Sequence, residues 1–277
     1  MKPSNSAAIG ERFFTPANSI WRVDRELALL LAGGRALLMQ LAHPKVAAGV
    51  AQHSRFQEDP LGRLYRTMNR MWTIVFAPES EARGALRQLA AVHKRVQGEV
   101  AADEPAHAGD AYDAADQELL LWVHATLIDS AMVAYDRFVA PLTVTERREY
   151  YEDSKKLALL LGIQERNLPA SLAAFEHYMR DIVAGSSIAV GPTARSLATQ
   201  VLYPRPWFLK PGAPVFRLAT AGLLPEKLRQ GYGLSWNRRR EKRLALTAGA
   251  IRGFLPLVPS TLRIVPHARR AERARQF

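Results

Sequence analysis

The sequence predicts an all-α fold: one globular multi-helix domain over residues 1–277, with its core at 19–255 and a basic C-terminal tail at 256–277. Three observations carry that expectation. Apolar residues recur at three- and four-residue spacing through most of the chain, and no stretch sustains the period of two of a half-buried strand. Prolines and capping residues punctuate the apolar runs at helix-length intervals. Hydrophobic residues make up 48% of the 277, enough for a sizeable buried core.

The first helix is expected over Ser19–Ala42, capped by Asn18 or Ser19 and ended by Pro44. Trp21, Leu27, Leu31, Leu38 and Leu41 keep helical spacing within it. Gly33-Gly34 sits inside this helix, where each glycine costs about 1 kcal/mol against alanine. A close-packed neighbour, helix or flat ligand, would repay that cost. A second helix follows Pro44 through "KVAAGVAQH", and a third covers roughly 61–76 after the "DP" turn. A fourth starts after Pro78 with acidic residues in its first turn, where they suit the helix dipole. "DEPAHAGDAY" reads as a loop. A long fifth helix spans Ala114–Val139, and Thr143 with Glu146 forms a capping box for the sixth. Further helices are expected near 169–184, 192–201, 213–230 and 236–254, with a Pro-rich connector in "VLYPRPWFLKPGAPVF".

Composition excludes several chemistries. With no cysteine, the chain has no disulfide, thiolate–zinc site, thiolate-ligated haem or cysteine nucleophile. The N-terminus carries no apolar secretory segment, and Arg35 interrupts the longest apolar run, so a soluble, cytoplasmic protein is expected. The net charge is +12, with much of the excess after Trp236. That segment reads as a solvated basic tail, or as a weak contact with a membrane surface. No specific nucleic-acid-binding signature is present.

Two histidines stand on long apolar helices. His93 shares a helical stripe with Leu89, Ala90 and Val96. His124 is flanked at three and four residues by Leu120, Leu121, Leu127 and Ile128. Each imidazole can be core, donating to a backbone carbonyl or hydroxyl. Each can also be a neutral metal ligand. A non-haem iron or zinc site needs further ligands, for which Asp129 and Asp136 are candidates, yet no HxxxH, HExxH or ExxH pattern occurs. A haem needs one histidine from below and a flat apolar slot, which suits this inventory better. His43 and His53 read as structural hydrogen-bonding residues, His107 as a solvated loop residue, and His177 and His267 carry no signal.

Cations supply the second pattern. Arg63, Arg66 and Arg70 fall at i, i+3 and i+7 on one face of the third helix, with Thr67 beside them and Arg55 just before. Such a row is either a solvated face or a partner for anionic groups such as haem propionates. It lacks interleaved acidic residues, while Leu64, Met68 and Met71 form an apolar face next to it.

Together, "GGRALLMQLAHPKVAAGVAQHSRFQEDPLGRLYRT", "VHKRVQG" and "LLWVHATLIDS", in this order and spacing, resemble the catalytic domain shared by rubber oxygenases and the fungal ER-bound oxygenase of mycophenolic acid biosynthesis. The resemblance covers roughly residues 19–255. It implies an all-helical fold enclosing one b-type haem, with His93 as the axial ligand to iron. His124 is the alternative ligand or a second residue of the haem pocket. The distal Arg-x-x-Lys-Thr pattern of rubber oxygenases matches Arg63-Leu64-Tyr65-Arg66-Thr67, with Arg66 in place of the lysine. A neutral lysine can ligate iron; an arginine stays protonated and has no lone pair to offer. Water or an open position is therefore expected opposite His93, and Ala47-Ala48 offers no glutamate base where the family has one.

The activity this implies is that of a haem-dependent oxidoreductase acting on a hydrophobic alkene or terpenoid-like molecule with O2 or peroxide, the electron donor being unknown. Arg63, Arg66 and Thr67 are the candidate catalytic residues, and His93, His124, Arg63 and Arg66 the candidate haem-binding set. A non-catalytic haem carrier or gas sensor is the alternative from another class.

Overall fold

Asp116 starts the helix around which the rest is arranged. Its carboxylate accepts from the backbone N–H of Glu118 at 2.8 Å and of Leu119 at 3.3 Å, capping α6 (Gln117–Phe138). Leu119, Trp122, Ala125, Ile128, Met132 and Phe138 are buried along α6. A helix apolar nearly all round must be surrounded on several sides. The computed structural model describes residues 11–53, 60–102, 104, 107–203 and 211–274, with the side chains of 60–65 outside that description. Arg55 and residues 204–210 of the expected connector lie outside the described residues.

The elements before α6 are α1 (Ser19–Asp24), a 3-10 turn (Leu27–Ala32), α2 (Gly33–Leu41), α3 (Pro44–His53), α4 (Pro60–Phe76), α5 (Glu79–His93), β1 (Gln97–Glu99) and β2 (Ala111–Asp113). After it come α7 (Val144–Leu160), α8 (Leu172–Ala184), α9 (Pro192–Leu202), α10 (Ala213–Leu223), α11 (Glu226–Gly231), α12 (Arg238–Phe254), α13 (Ser260–Arg263) and α14 (Pro266–Arg273). The all-α expectation holds, with one small antiparallel hairpin added. Its register pairs Gln97 with Asp113, Gly98 with Tyr112 and Glu99 with Ala111. The capping box at Thr143 and Glu146 is formed in both directions.

The first helix departs from expectation. It breaks after Asp24 and resumes as α2 at Gly33. The cause lies far along the chain. The carboxylate of Glu26, 2% exposed, accepts from Nε and Nη2 of Arg263 at 2.9 and 3.1 Å. The backbone of Glu26 bridges Ile264, and the N–H of Val265 donates to the carbonyl of Arg25 at 2.8 Å. These contacts replace helical hydrogen bonds that a continuous helix would make locally.

The same contacts correct the expected tail. Ile264, Val265, Ala268 and Ala271 are buried. Glu272 accepts from the indole N–H of Trp21 at 3.0 Å and from Arg25 at 2.9 Å. Residues 260–273 therefore belong to the folded core, packed on α1 and α4, and the core does not end at 255. The solvated-tail reading fails because "IVPHARRAER" carries its apolar residues on one helical stripe.

Gly34 is explained by packing. A Cβ there would lie 2.0 Å from Oγ1 of Thr220 and 2.8 Å from the ring of Phe216, so α10 approaches the α2 backbone directly. Arg35, 5% exposed, ties these two helices to α6. It donates to the carbonyl of Leu223 at 2.7 Å, to Oγ of Ser130 at 2.6 Å, and to the carboxylate of Asp129. Among the described residues no single helix is long and apolar enough to cross a membrane.

Candidate active site

His93 is the last residue of α5, a helix started by Pro78 with Glu79 and Glu81 in its first turn. The interior stripe of α5 is Ala82 and Ala85, then the half-buried Leu86 and Leu89, so it thins toward the C-terminus. His93 is accordingly half-buried, more open than the interior position its spacing predicts. Burial lowers its pKa from the ordinary 6.5, and the guanidinium of Arg70 on α4 lowers it further. The imidazole is therefore neutral at pH 7, and its ring makes no hydrogen bond among the described residues. A neutral, uncommitted ring nitrogen is what metal ligation requires.

The hairpin fixes this histidine's backbone. The N–H of Val96 donates to the carbonyl of His93 at 3.0 Å as the chain turns into β1. Opposite, the hairpin is clasped by α3. Gln52 donates to the carbonyl of Glu99 at 2.8 Å, Tyr112 donates to Gln52 at 2.8 Å, and Nε2 of His53 lies 2.9 Å from the carbonyl of Gln97. His53 is thus structural, as its sequence position suggests. Gly49 permits the approach, since a Cβ there would meet Val96 at 3.3 Å and Tyr112 at 3.4 Å.

α4 packs along α5 and carries the cationic row. Arg70 is half-buried beside His93, while Arg66 and Thr67 are exposed one turn earlier. Arg66 has an interaction partner of its own. The side chain of Arg63 lies outside the described residues. His93, Arg70, Arg66 and Thr67 thus occupy two adjoining helices.

His124 sits elsewhere. It is 6% exposed on α6, and burial pushes its pKa down to about 4, opposed by hydrogen bonding to the Ser154 backbone on α7. Its Nδ1 is buried without a hydrogen-bond partner among the described residues. No hydrogen bond, ion pair or ring contact among the described residues joins it to His93, Arg66 or Thr67. Asp129 is held by Arg35, and Asp136 by Arg147 and the N–H of Leu142. Both carboxylates are committed to fold contacts. Among the described residues no group of three His, Asp or Glu side chains converges as a metal site.

One imidazole escaped sequence reasoning. His267 of α14 packs against Trp72 of α4, ring centroids 5.9 Å apart, with a buried Nδ1 that has no hydrogen-bond partner among the described residues. Burial and Arg270 lower its pKa, against the opposing pull of Glu81. No local pattern could reveal it, because its neighbour is 195 residues away along the chain. Separately, a half-open cavity of about 220 Å³ is lined by His43, Lys45, His107, Asp110, Asp116 and Glu118. Its polar, acidic wall is not the flat apolar slot a porphyrin needs.

His93 offers the donor that a haem would need, one imidazole kept neutral by burial, with the guanidinium of Arg70 on the next helix. Comparison with known proteins places the chain in a family. An uncharacterized protein of Mycobacterium bovis and one of Mycobacterium tuberculosis are each 26% identical over 230 residues, covering 80% of this chain and 87% of the relative. No solved structure matches significantly. Residues 21–253 match the family described as ER-bound oxygenase mpaB/B'/rubber oxygenase, catalytic domain, so the chain belongs to that family.

Proposed function

We propose that the protein is a haem-b-dependent oxygenase that oxidises a hydrophobic small molecule, of alkene or terpenoid type, with O2 or peroxide. The observation that carries the reading is the neutral imidazole of His93, without a hydrogen bond among the described residues and beside Arg70 of α4, in a chain of an oxygenase catalytic-domain family. When bound, haem supplies redox chemistry at iron that no side chain of this protein can supply.

This chain's residues have distinct tasks. His93 would hold the iron from one side, because burial and Arg70 keep its ring unprotonated. Arg70 and Arg66, with Arg63 one turn before, would hold the propionates. Thr67 offers a hydroxyl donor that would orient an oxygen-bearing reactant. Arg66 stays protonated, so it would act by charge and hydrogen bonding and not as an iron ligand. His124 is assigned to the core, where it supports α6 against α7.

The test is an absorption spectrum of freshly purified protein, oxidised and reduced, with iron analysis. A Soret band that His93→Ala abolishes and His124→Ala retains supports the assignment. Loss of colour with His124→Ala alone moves the ligand to α6. Colourless protein after haem addition overturns the proposal. Product formed from an alkene with reductant and O2, or with peroxide, separates an oxygenase from a haem carrier or gas sensor.

A further inference from the structure

The outer face of α12 is unlike the rest of the surface. Leu244 and Ala248 turn inward, and Ile251 packs beside them against α6 and α10. The opposite stripe runs Arg239, Lys242, Leu246, Ala250 and Gly253, spaced three and four residues apart, all exposed. It begins cationic and ends apolar. The chain then adds Phe254, Leu257 and Leu262, which are 68%, 76% and 70% exposed, after Leu246 at 65%. Among the described residues nine large hydrophobics are exposed, and these four fall within 17 residues of chain. Scattered exposed leucines are ordinary, but a cluster of this kind marks an interaction surface.

Charge decides the kind of partner. Between Arg238 and Leu262 the only acidic residue is Glu241, and it is engaged by Arg137 at 2.9 Å and by the indole of Trp236 at 3.1 Å. Arg238, Arg239, Lys242 and Arg243 leave a cationic turn at one end of the apolar stripe. A second copy of this chain would bring like charge against like charge. An acidic protein groove would satisfy the cations, yet it would leave the exposed side chains of Leu246, Phe254, Leu257 and Leu262 without an apolar partner. A basic turn continuous with protruding Leu and Phe matches an anionic bilayer: cations at headgroup level, apolar tips in the acyl boundary.

We propose that the outer face of α12, continued through Leu257 and Leu262, docks the protein on an anionic lipid bilayer, with the helix lying in the plane of the membrane. The surface is formed by the fold whatever cofactor the protein carries, so the proposal is independent of the haem reading.

The test is co-sedimentation of the full-length protein with vesicles of phosphatidylcholine alone and of phosphatidylcholine with roughly one-third phosphatidylglycerol. Binding to the anionic vesicles only, falling as salt is raised, is expected. Arg239→Glu with Lys242→Glu and Arg243→Glu should weaken it by at least about 100-fold, because each cation near such a surface is worth about a factor of five. Phe254→Ser with Leu257→Ser should abolish it while leaving the charge intact. All five positions are exposed, so unchanged helix content by circular dichroism accompanies both variants. Equal sedimentation with neutral vesicles, or binding indifferent to either variant, overturns the proposal. So does a dimer that Phe254→Ser with Leu257→Ser converts to monomer without any vesicle binding.

Discussion

His93 and His124 share a residue type and a helical setting, yet their surroundings separate them. His93 ends its helix half-buried beside Arg70, whereas His124 is enclosed between α6 and α7. On the proposed function, His93→Ala is expected to lower haem occupancy at least about tenfold, measured by Soret absorbance per protein. Arg70→Ala removes a charge that opposes protonation of the imidazole, so the His93 pKa should rise toward 6.5, as followed by NMR titration of the ring. An unchanged His93 titration would place the two side chains out of electrostatic reach. The adjacent glycines make a second contrast. Gly34→Ala pushes a methyl into Thr220 and should cost about 1–3 kcal/mol in urea denaturation. Gly33 faces open space, with no neighbour within 4 Å of where a methyl would lie, so Gly33→Ala should be neutral or slightly stabilising.

Elements were legible where local signals agreed. The capping box at Thr143, the acidic first turn of α5 and the all-round apolarity of α6 each forecast a helix that forms within a few residues of its expected bounds. Elements failed where distant residues intervened. The break between α1 and α2 is set by Arg263 and Val265, and the hairpin by its clasp on α3. Glu26→Gln leaves Arg263 facing a neutral amide and should destabilise by about 2–3 kcal/mol, less than for a fully buried pair because Arg263 is partly exposed. Truncation after Pro259 removes both Arg263 and the buried stripe of α14, and should lower the thermal midpoint further than Glu26→Gln does. Equal midpoints for truncated and full-length chains would return these residues to a peripheral tail.

At the scale of the whole molecule, buried titratable groups couple folding to pH. His43 and His124 are pushed down to about 4 by burial, His43 also by Lys45 and His107. Unfolded, they take up protons below 6.5; folded, they do so only near 4. Their contribution is thus present above 6.5 and lost as pH falls toward 4. For His124 the span corresponds to about 3 kcal/mol. Asp24 acts the other way. Burial raises its carboxyl from 3.8 to about 7, against the hydrogen bond donated by Tyr150, so its contribution is full below 3.8 and is lost progressively as pH rises through 7. Two imidazoles outweigh one carboxyl between 4 and 6.5, and above that only Asp24 retains a large effect. Urea midpoints should climb from pH 4 to near neutrality and then level or decline. A maximum near pH 4 would show that the imidazoles are solvated.

Periodicity, capping and punctuation determined that this chain is helical, where most helices start and stop, and which residue types could carry metal chemistry. Those are local properties, fixed by neighbours within a few positions. Only the tertiary structure decided which imidazole stays accessible, which arginine lies beside it, and that Asp129 and Asp136 serve the fold. It also turned the expected tail into core and left the α12 face uncovered. The physical reason is common to all of these. Burial and charge proximity come from segments packed together across the chain, and a one-dimensional pattern gives each helix its apolar face without saying what will cover it.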